Sequence, residues 1–464
     1  MKSQTVGVLG LAFLAVGDGL PGGGARGGSG RRIGSDEPST PLAIVGVGIV
    51  MLQAERVIEE QTVVVGGGRI QAIGPTAEVR VPEGASRVDG RGRFVMPGLA
   101  DMHVHLFNSR DLALYVANGI TTIRNLGGYE AADSILRIRQ EVRDGQRLGP
   151  TIYTSGNWLD GDPPFRPENT VVRTPQDAER VVAQQAAAGY EFIKVYVTLR
   201  PEVYRAIVEA ARRRSIPVTG HVPAAVGIDD VLASGQIGID HLGQYPLSRF
   251  GQASGDSALE EFSRRTSERG VSVTTTLVML QRSLAMRGNP EFVRDLLAGP
   301  EARYLSPATR EFWMRAPFLS QQRLPTAGAV YGQTQRLAAR LHAHDVRLLL
   351  GTDAGLWGNP PGFSAIEELR LLVESGLTPA QALWAATLAP AAFLNQYVPG
   401  ADQPGEVRVG MRADLLVLEQ NPLTDVSAVS RKVGVVLRGR WIPEAELQAL
   451  LEGLASDYAR SAPP

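Results

Sequence analysis

The chain has 464 residues, 47 Lys and Arg against 48 Asp and Glu, and a formal net charge of −1. Because there is no basic excess, a nucleic-acid-binding role is not indicated. Because the chain has no cysteine, disulfides, thiolate metal sites and thiol catalysis are excluded. With only six histidines in the chain, any cluster of them is informative.

The N-terminus carries one short apolar run, from Val6 to Val16. The run is too short to span a bilayer, which needs about 20 residues, but it fits the apolar region of a secretory signal peptide. Residues 21–40 are rich in Gly, Arg, Ser and Pro, which is typical of a disordered linker. We interpret residues 1–40 as signal peptide and linker. If residues 1–20 are a signal peptide, we expect the protein to be exported to the periplasm or secreted. If they are not, we expect it to be cytoplasmic.

Short strand patterns with glycine turns fill residues 42–95 and return in residues 404–441. We predict that residues 41–97 and 397–445 pair into one small β-sandwich domain. The region from 98 to 396 would then be inserted between its halves, and residues 446–464 would form a C-terminal helix and tail.

The inserted region alternates strand patterns with amphipathic segments, which predicts an α/β fold, a (β/α)8 TIM barrel. The predicted strands are 99–106, 121–125, 151–155, 192–197, 217–221, 238–241, 271–277 and 347–353. In such barrels the chemistry lies at the carboxyl ends of the strands.

Polar side chains stand at the ends of five of these strands. His103 and His105 share one face of the first strand, because side chains on a strand alternate. Lys194 interrupts an apolar strand, where an unpaired charge is costly to bury. The remaining members of the set are His221, His241 and Asp353. Each one alone has an ordinary explanation, such as a helix cap or a packed core residue, but together they indicate a metal site.

Several motifs give the sequence a resemblance to the amidohydrolase superfamily over roughly residues 42–440. They are PGLADMHVH at 97–105, IKVY at 193–196, GH at 220–221, DH at 240–241 and GTDA at 351–354. Within the superfamily the chain looks most like the binuclear branch that hydrolyses Xaa-Pro dipeptides or N-acyl amino acids. Lys194 argues against the mononuclear deaminases and imidazolonepropionases, which share the fold but do not use this lysine.

The resemblance implies two divalent metal ions, Zn²⁺ or, as alternatives, Mn²⁺ or Co²⁺. The implied ligands are His103, His105 and Asp353 for the more buried ion, His221 and His241 for the more exposed one, and Lys194 as a CO2-derived carbamate bridging both. The carbamate makes physical sense, because a lysine ammonium would be repelled by two dications.

The resemblance also implies catalytic roles. Asp353 would move a proton from water to the leaving nitrogen, and the Tyr196 hydroxyl would donate to the developing oxyanion, unless Tyr196 is only a packed barrel residue. Trp357 is a candidate substrate-binding residue together with Tyr196. Residues 279–330 are expected to form helices over the barrel mouth, or a lid whose aromatic side chains line the pocket.

The implied reaction is hydrolysis of a C–N amide bond in a small molecule or dipeptide. The alternatives are an ester, lactone, carbamate or cyclic amide substrate on the same metal site, or a barrel that only binds. No nucleic-acid partner and no membrane-spanning segment are expected, and the sequence leaves open whether the chain forms a homo-oligomer.

Overall fold

The computed structural model of the chain describes residues 40–127, 132–244 and 255–461. The predicted signal peptide and all but the last residue of the predicted linker lie outside these ranges. Within the described residues, no helix combines the length and the apolar character that crossing a bilayer requires.

Strands from both ends of the chain form one sheet. The N-terminal strands are β1 (Leu42–Met51), β2 (Arg56–Gly66), β3 (Arg69–Pro75), β4 (Ser86–Asp89) and β5 (Phe94–Pro97), and the C-terminal strands are β16 (Leu415–Leu418), β17 (Lys432–Leu437) and β18 (Arg440–Pro443). The strand order is β18-β17-β16-β5-β1-β2-β3, with β4 pairing with β1. Antiparallel pairing of β16 with β5, with Val417 opposite Val95, joins the two ends. Apolar side chains of both segments, such as Ile44 and Leu415, share a core.

Eight parallel strands form the barrel. They are β6 (Leu99–Val104), β7 (Ile120–Asn125), β8 (Thr151–Thr154), β11 (Ile193–Val195), β12 (Val218–Gly220), β13 (Gly238–Asp240), β14 (Ser272–Thr274) and β15 (Leu348–Leu349). Bridges from Ser155 to Phe192 and from Val104 to Ala354 close the ring between β8 and β11 and between β15 and β6. The short strands β9 (Leu159–Asp160) and β10 (Thr170–Val171) extend the sheet beside β11. The prediction of a (β/α)8 TIM barrel with a small β-sandwich domain from both chain ends is confirmed as a barrel with a separate β-sheet domain, whose described strands belong to one eight-stranded sheet.

Helices surround the barrel and cover its mouth. Those described are Leu112–Ala117, Ala132–Arg143, Pro175–Ala188, Pro201–Arg213, Gly227–Ser234, Asp256–Glu268, Leu277–Met286, Pro290–Ala298, Pro307–Met314, Ala327–Ala343, Phe363–Glu374, Pro379–Ala385, Leu388–Tyr397 and Glu444–Ser461. Local sequence explains several of their starts. Thr174 and Asp177 form a capping box at the first turn of Pro175–Ala188, where they satisfy backbone groups that the helix itself cannot pair.

The barrel strands are buried on both faces, which is why most of them read as short apolar runs. Several predicted strands were too long; the strand predicted at 347–353, for example, spans only Leu348–Leu349. The segment predicted as 271–277 leaves the sheet after Thr274, and a helix begins at Leu277. Between them Thr276 adopts a left-handed φ of 52°, which ends the extended conformation.

Candidate active site

The six side chains singled out in the sequence come together at the carboxyl ends of five barrel strands. All six are buried, none more than 9% exposed. The Oδ1 atom of Asp353 lies 3.1 Å from Nε2 of His103 and 3.0 Å from Nε2 of His105. Imidazole centroids are 4.4 Å apart between His103 and His241, and 4.9 Å apart between His221 and His241.

Backbone and side-chain contacts orient the imidazoles. Nδ1 of His105 lies 2.7 Å from the carbonyl oxygen of Gly127. Because a carbonyl oxygen can only accept a hydrogen bond, Nδ1 carries the proton. Nε2 of the neutral ring then presents a lone pair, with which it can accept a hydrogen bond or coordinate a metal ion. Nδ1 of His241 contacts the Thr276 hydroxyl at 2.9 Å, which orients that ring, and because a hydroxyl can donate or accept, either tautomer of His241 is compatible with the contact.

These contacts fit a metal ion. In the neutral tautomer, Nε2 of His105 and Oδ1 of Asp353 are both acceptors, so their 3.0 Å approach calls for a cation between them. Within the described part of the chain, both ring nitrogens of His103 and Oδ1 of Asp353 are buried without a hydrogen bond. One nitrogen or oxygen from each of His103, His241 and Asp353 lies within 4.8 Å of the other two, a spacing at which they could hold one ion.

The ionisation of the cluster suits a divalent cation. Burial lowers the pKa of His241 to about 3 and that of His221 well below its usual value. Burial alone would raise the pKa of Asp353, but His103 and His105 hold it well below the usual range. Neutral imidazoles beside a carboxylate are a donor set that Zn²⁺ accepts.

Lys194 makes a contact that the sequence did not suggest. Its Nζ lies 2.6 Å from Oδ2 of Asp240, and neither side chain is more than 1% exposed. Burial lowers the pKa of the Lys194 amine. Burial would raise the pKa of Asp240, but Lys194, His103 and Arg124 together hold it well below its usual value.

Sequence reasoning assigned no role to three buried residues beneath the site, Asp101, Arg124 and Asp240. Asp101 accepts hydrogen bonds from the Thr352 hydroxyl at 2.6 Å and from the His103 amide at 3.2 Å, so it ties the first barrel strand to the last. Two signals were present in the sequence. Asp101 has the same strand parity as His103, and Arg124 stands as a lone charge within an apolar strand.

Above the cluster lies a cavity with mainly apolar walls. Tyr196 and Trp357, both predicted to bind substrate, line it together with His221 and Asp353. The Tyr196 ring stacks on Trp158 with 4.8 Å between centroids and lies 4.3 Å from the His221 ring. Burial raises the pKa of Tyr196, which keeps its hydroxyl protonated as a donor.

Of the two predictions for the segment from 279 to 330, the structure shows the helices over the barrel mouth but not a lining of mainly aromatic side chains. The segment forms helices at the barrel mouth, and some of its side chains line the cavity. These are mostly aliphatic rather than aromatic, such as Met279, Leu280 and Leu284, with Phe318 as the aromatic exception. Trp313 is instead 1% exposed and packs beneath the mouth.

Comparison with known proteins agrees with this description. The model of the Amidohydrolase family matches residues 94–442. The chain is 25% identical over 450 aligned residues to ochratoxinase of Aspergillus niger, covering 83% of this chain and 81% of that protein.

Two solved structures are also similar. A provisionally named prolidase from Bifidobacterium longum is 28% identical, with a TM-score of 0.67 over 90% of this chain and 100% of that one. Bottromycin amidohydrolase is 24% identical with a TM-score of 0.71 over 90% of each chain, a likeness in fold.

Proposed function

Since the chain belongs to the amidohydrolase family and is a hydrolase of C–N bonds, we propose that it binds two divalent metal ions and cleaves the amide bond of an Xaa-Pro dipeptide or an N-acyl amino acid. Zn²⁺ is the proposed metal, with Mn²⁺ or Co²⁺ as alternatives. The observation that carries the proposal is the 3.0 Å approach of Nε2 of His105 to Oδ1 of Asp353, because the His105 Nδ1 proton is used by the Gly127 carbonyl oxygen and a cation shared between the two acceptors accounts for that approach.

The proposed ligand set keeps the division implied by the family. It consists of His103, His105 and Asp353 for one ion, His221 and His241 for the other, and Lys194 between them. The second ion is supported by the contact of the His221 and His241 rings, whose imidazoles are neutral.

We propose that Lys194 is carboxylated in the active protein. Only an uncharged amine can attack CO2, and burial favours that form of Lys194. The new C–N bond converts the amine into a carbamate anion as a proton leaves the nitrogen. The carbamate nitrogen keeps one N–H, which can still donate to Asp240 across the present 2.6 Å contact.

The chain's own groups have distinct tasks in the proposed reaction. When bound, the ions supply a Lewis acid and lower the pKa of a coordinated water towards about 7. The Asp353 carboxylate accepts the proton of the attacking water and passes it to the leaving nitrogen, a role worth about 10²–10⁴-fold in rate. The Tyr196 hydroxyl donates to the oxyanion, and the apolar cavity walls exclude water from it.

The substrate class is supported by the relatives and by the pocket. The curated relative is named for its action on ochratoxin, and the similar structure from Bifidobacterium longum is named a prolidase. Trp158, Trp357 and Phe318 give the cavity flat apolar surfaces. Such surfaces favour an apolar acyl or amino-acid side chain next to the scissile bond.

The test combines metal analysis with a substrate panel. Protein purified without added metal should hold about two ions per chain, and Lys194→Ala should lose at least one of them. The metal-loaded enzyme should hydrolyse members of a panel of Xaa-Pro dipeptides and N-acyl amino acids in preference to aryl esters and lactones. Asp353→Asn should keep the fold, because Asn tolerates the left-handed φ of 59° at this position, and should lose turnover.

Three outcomes would contradict the proposal. A stable one-ion protein indifferent to Lys194→Ala would remove the binuclear site. Preference for esters or lactones would replace the amide substrate. Near-wild-type turnover in Asp353→Asn would remove the proton-transfer role of that carboxylate.

A further inference from the structure

Two arginines line the apolar cavity, Arg166 and Arg287, and Arg287 donates to the Gln322 carbonyl oxygen and the Gln321 side chain. Arg166, on the loop between β9 and β10, lines the same cavity as His105 and Asp353. Its guanidinium carbon lies 4.8 Å from the ring centroid of Trp357 and 5.5 Å from that of Trp158. The cation–π contacts with two indoles restrict the orientation of the guanidinium at the cavity wall.

Arg166 is also one side chain away from the proposed metal ligands. It hydrogen-bonds the side chain of Tyr196, and the Tyr196 ring lies 4.3 Å from the His221 ring. A ligand group held by Arg166 would therefore sit close to the reacting centre but not on it. In an N-acyl amino acid the carboxylate carbon is two bonds from the acylated nitrogen, so the carboxylate of a bound substrate would lie beside the reacting centre.

The loop that carries Arg166 is held firmly. The buried carboxylate of Asp160 accepts hydrogen bonds from the Phe165 amide at 2.7 Å, the Asn169 side chain at 2.9 Å and the Thr198 amide at 2.8 Å. These bonds fix both halves of the loop and join it to the segment after β11. A preorganised guanidinium loses little entropy on binding an anion.

The charge of the cavity favours an anion at this position. Among the described residues that line it, the only carboxylate is Asp353, which faces His103 and His105. Arg166 makes a long ion pair with Glu168, 3.6 Å, and the Glu168 side chain is 38% exposed. A guanidinium has five N–H donors, so a ligand carboxylate can join from the cavity side.

We propose that Arg166 binds the free carboxylate of the substrate. This inference rests on the proposed amide hydrolysis and assigns the group that would recognise the unblocked carboxyl group of those substrates, while their apolar side chain packs against Trp158 and Trp357. Carboxylate recognition by a guanidinium is bidentate, which a lysine cannot reproduce.

The test is a binding measurement that needs no turnover. Isothermal titration calorimetry of the metal-loaded protein compares 3-phenylpropionate with 3-phenylpropan-1-ol, which has the same phenylpropyl group but no charge. The acid should bind the wild type more tightly, and Arg166→Gln should weaken acid binding by about 10- to 100-fold while leaving alcohol binding unchanged. The affinity of Arg166→Lys for the acid should lie between that of the wild type and that of Arg166→Gln. The matched control is Arg200→Gln, at an exposed arginine in the segment after β11, which should keep the wild-type preference.

Each outcome decides the matter. Wild-type acid affinity in Arg166→Gln would overturn the inference, as would an equal loss for acid and alcohol, because the side chain would then only shape the pocket. Both variants are checked for wild-type thermal unfolding first, and Arg166→Lys serves if Arg166→Gln does not fold. An Arg166-dependent preference in a protein that hydrolyses no amide of the panel would support this inference while the proposed function fails.

Discussion

Asp240 is a buried carboxylate that contacts the Arg124 guanidinium and the Lys194 amine beneath the active site. Its Oδ1 lies 3.0 Å from Nη2 of Arg124 and its Oδ2 lies 2.6 Å from Nζ of Lys194. Arg124 is further held by the Met102 carbonyl oxygen, 2.7 Å from its Nε. Removing one partner of a buried ion pair destabilises the fold, because the remaining charge is then neither paired nor solvated by water. Asp240 therefore matters to stability as well as to the orientation of Lys194.

We expect Asp240→Asn to lower the free energy of unfolding by about 3–5 kcal/mol, the usual cost of breaking a buried charge pair. Urea denaturation followed by circular dichroism measures the change. The control is Glu261→Gln, which removes an ion pair with Arg264 of similar length, 2.8 Å, in which both side chains are about half exposed. Its unfolding midpoint should not move, because exposed pairs contribute little. Equal midpoints for Asp240→Asn and wild type would mean that the buried network does not stabilise the fold.

At the scale of single elements, the start of the helix Leu277–Met286 links the mouth of the cavity to a proposed metal ligand, His241. Glu368, on the helix Phe363–Glu374, accepts hydrogen bonds from the amides of Leu277 at 2.9 Å and Val278 at 2.7 Å. The preceding residue, Thr276, contacts Nδ1 of His241. This turn therefore fixes the start of the helix Leu277–Met286, which lines the cavity, and also orients the His241 ring.

We expect Glu368→Ala to cost about 1–3 kcal/mol of unfolding free energy for each of the two buried amides left without an acceptor. It should also lower the metal content through the loosened Thr276–His241 contact. Chemical denaturation and elemental analysis measure the two effects. Glu374→Ala, an exposed change on the same helix, should alter neither. Metal retention at the wild-type level would show that Thr276 holds His241 without help from Glu368.

This turn also shows where sequence reasoning stops. The run of three threonines before Leu277 has the β-branched composition of a strand, so the sequence predicts extended structure through 277. The acceptor that caps the helix after the strand is Glu368, which is 91 residues away in the chain. No local sequence pattern predicts this contact. The position of Arg166 could not be predicted from the sequence for the same reason, since its partners Trp158 and Trp357 come from separate loops of the barrel mouth.

At the scale of the whole molecule, the barrel itself could be predicted because each strand is a short apolar run with its own turn signals. Pairing between the two chain ends follows from a similar pattern. The C-terminal strand β16 lies against β5, and the amide of Gly98 donates to the Asp414 carbonyl oxygen at 2.9 Å, just before β6 begins. The sheet therefore fixes the entry of the strand that carries His103. What the pattern could not supply is the network of charges that share the barrel interior.

Because the proposed ligands come from five strands around the ring, metal binding should stabilise the barrel as a whole. An ion that binds only the folded protein adds about 4 kcal/mol of stability when its free concentration is 1,000 times its dissociation constant. Removing it with a chelator should lower the thermal unfolding midpoint by several degrees, and adding Zn²⁺ back should restore it. His103→Ala removes a ligand from the buried position and should show a smaller shift between chelated and Zn²⁺-loaded samples. An unchanged midpoint after metal removal confirmed by elemental analysis would mean that the barrel holds these side chains in place without the ions.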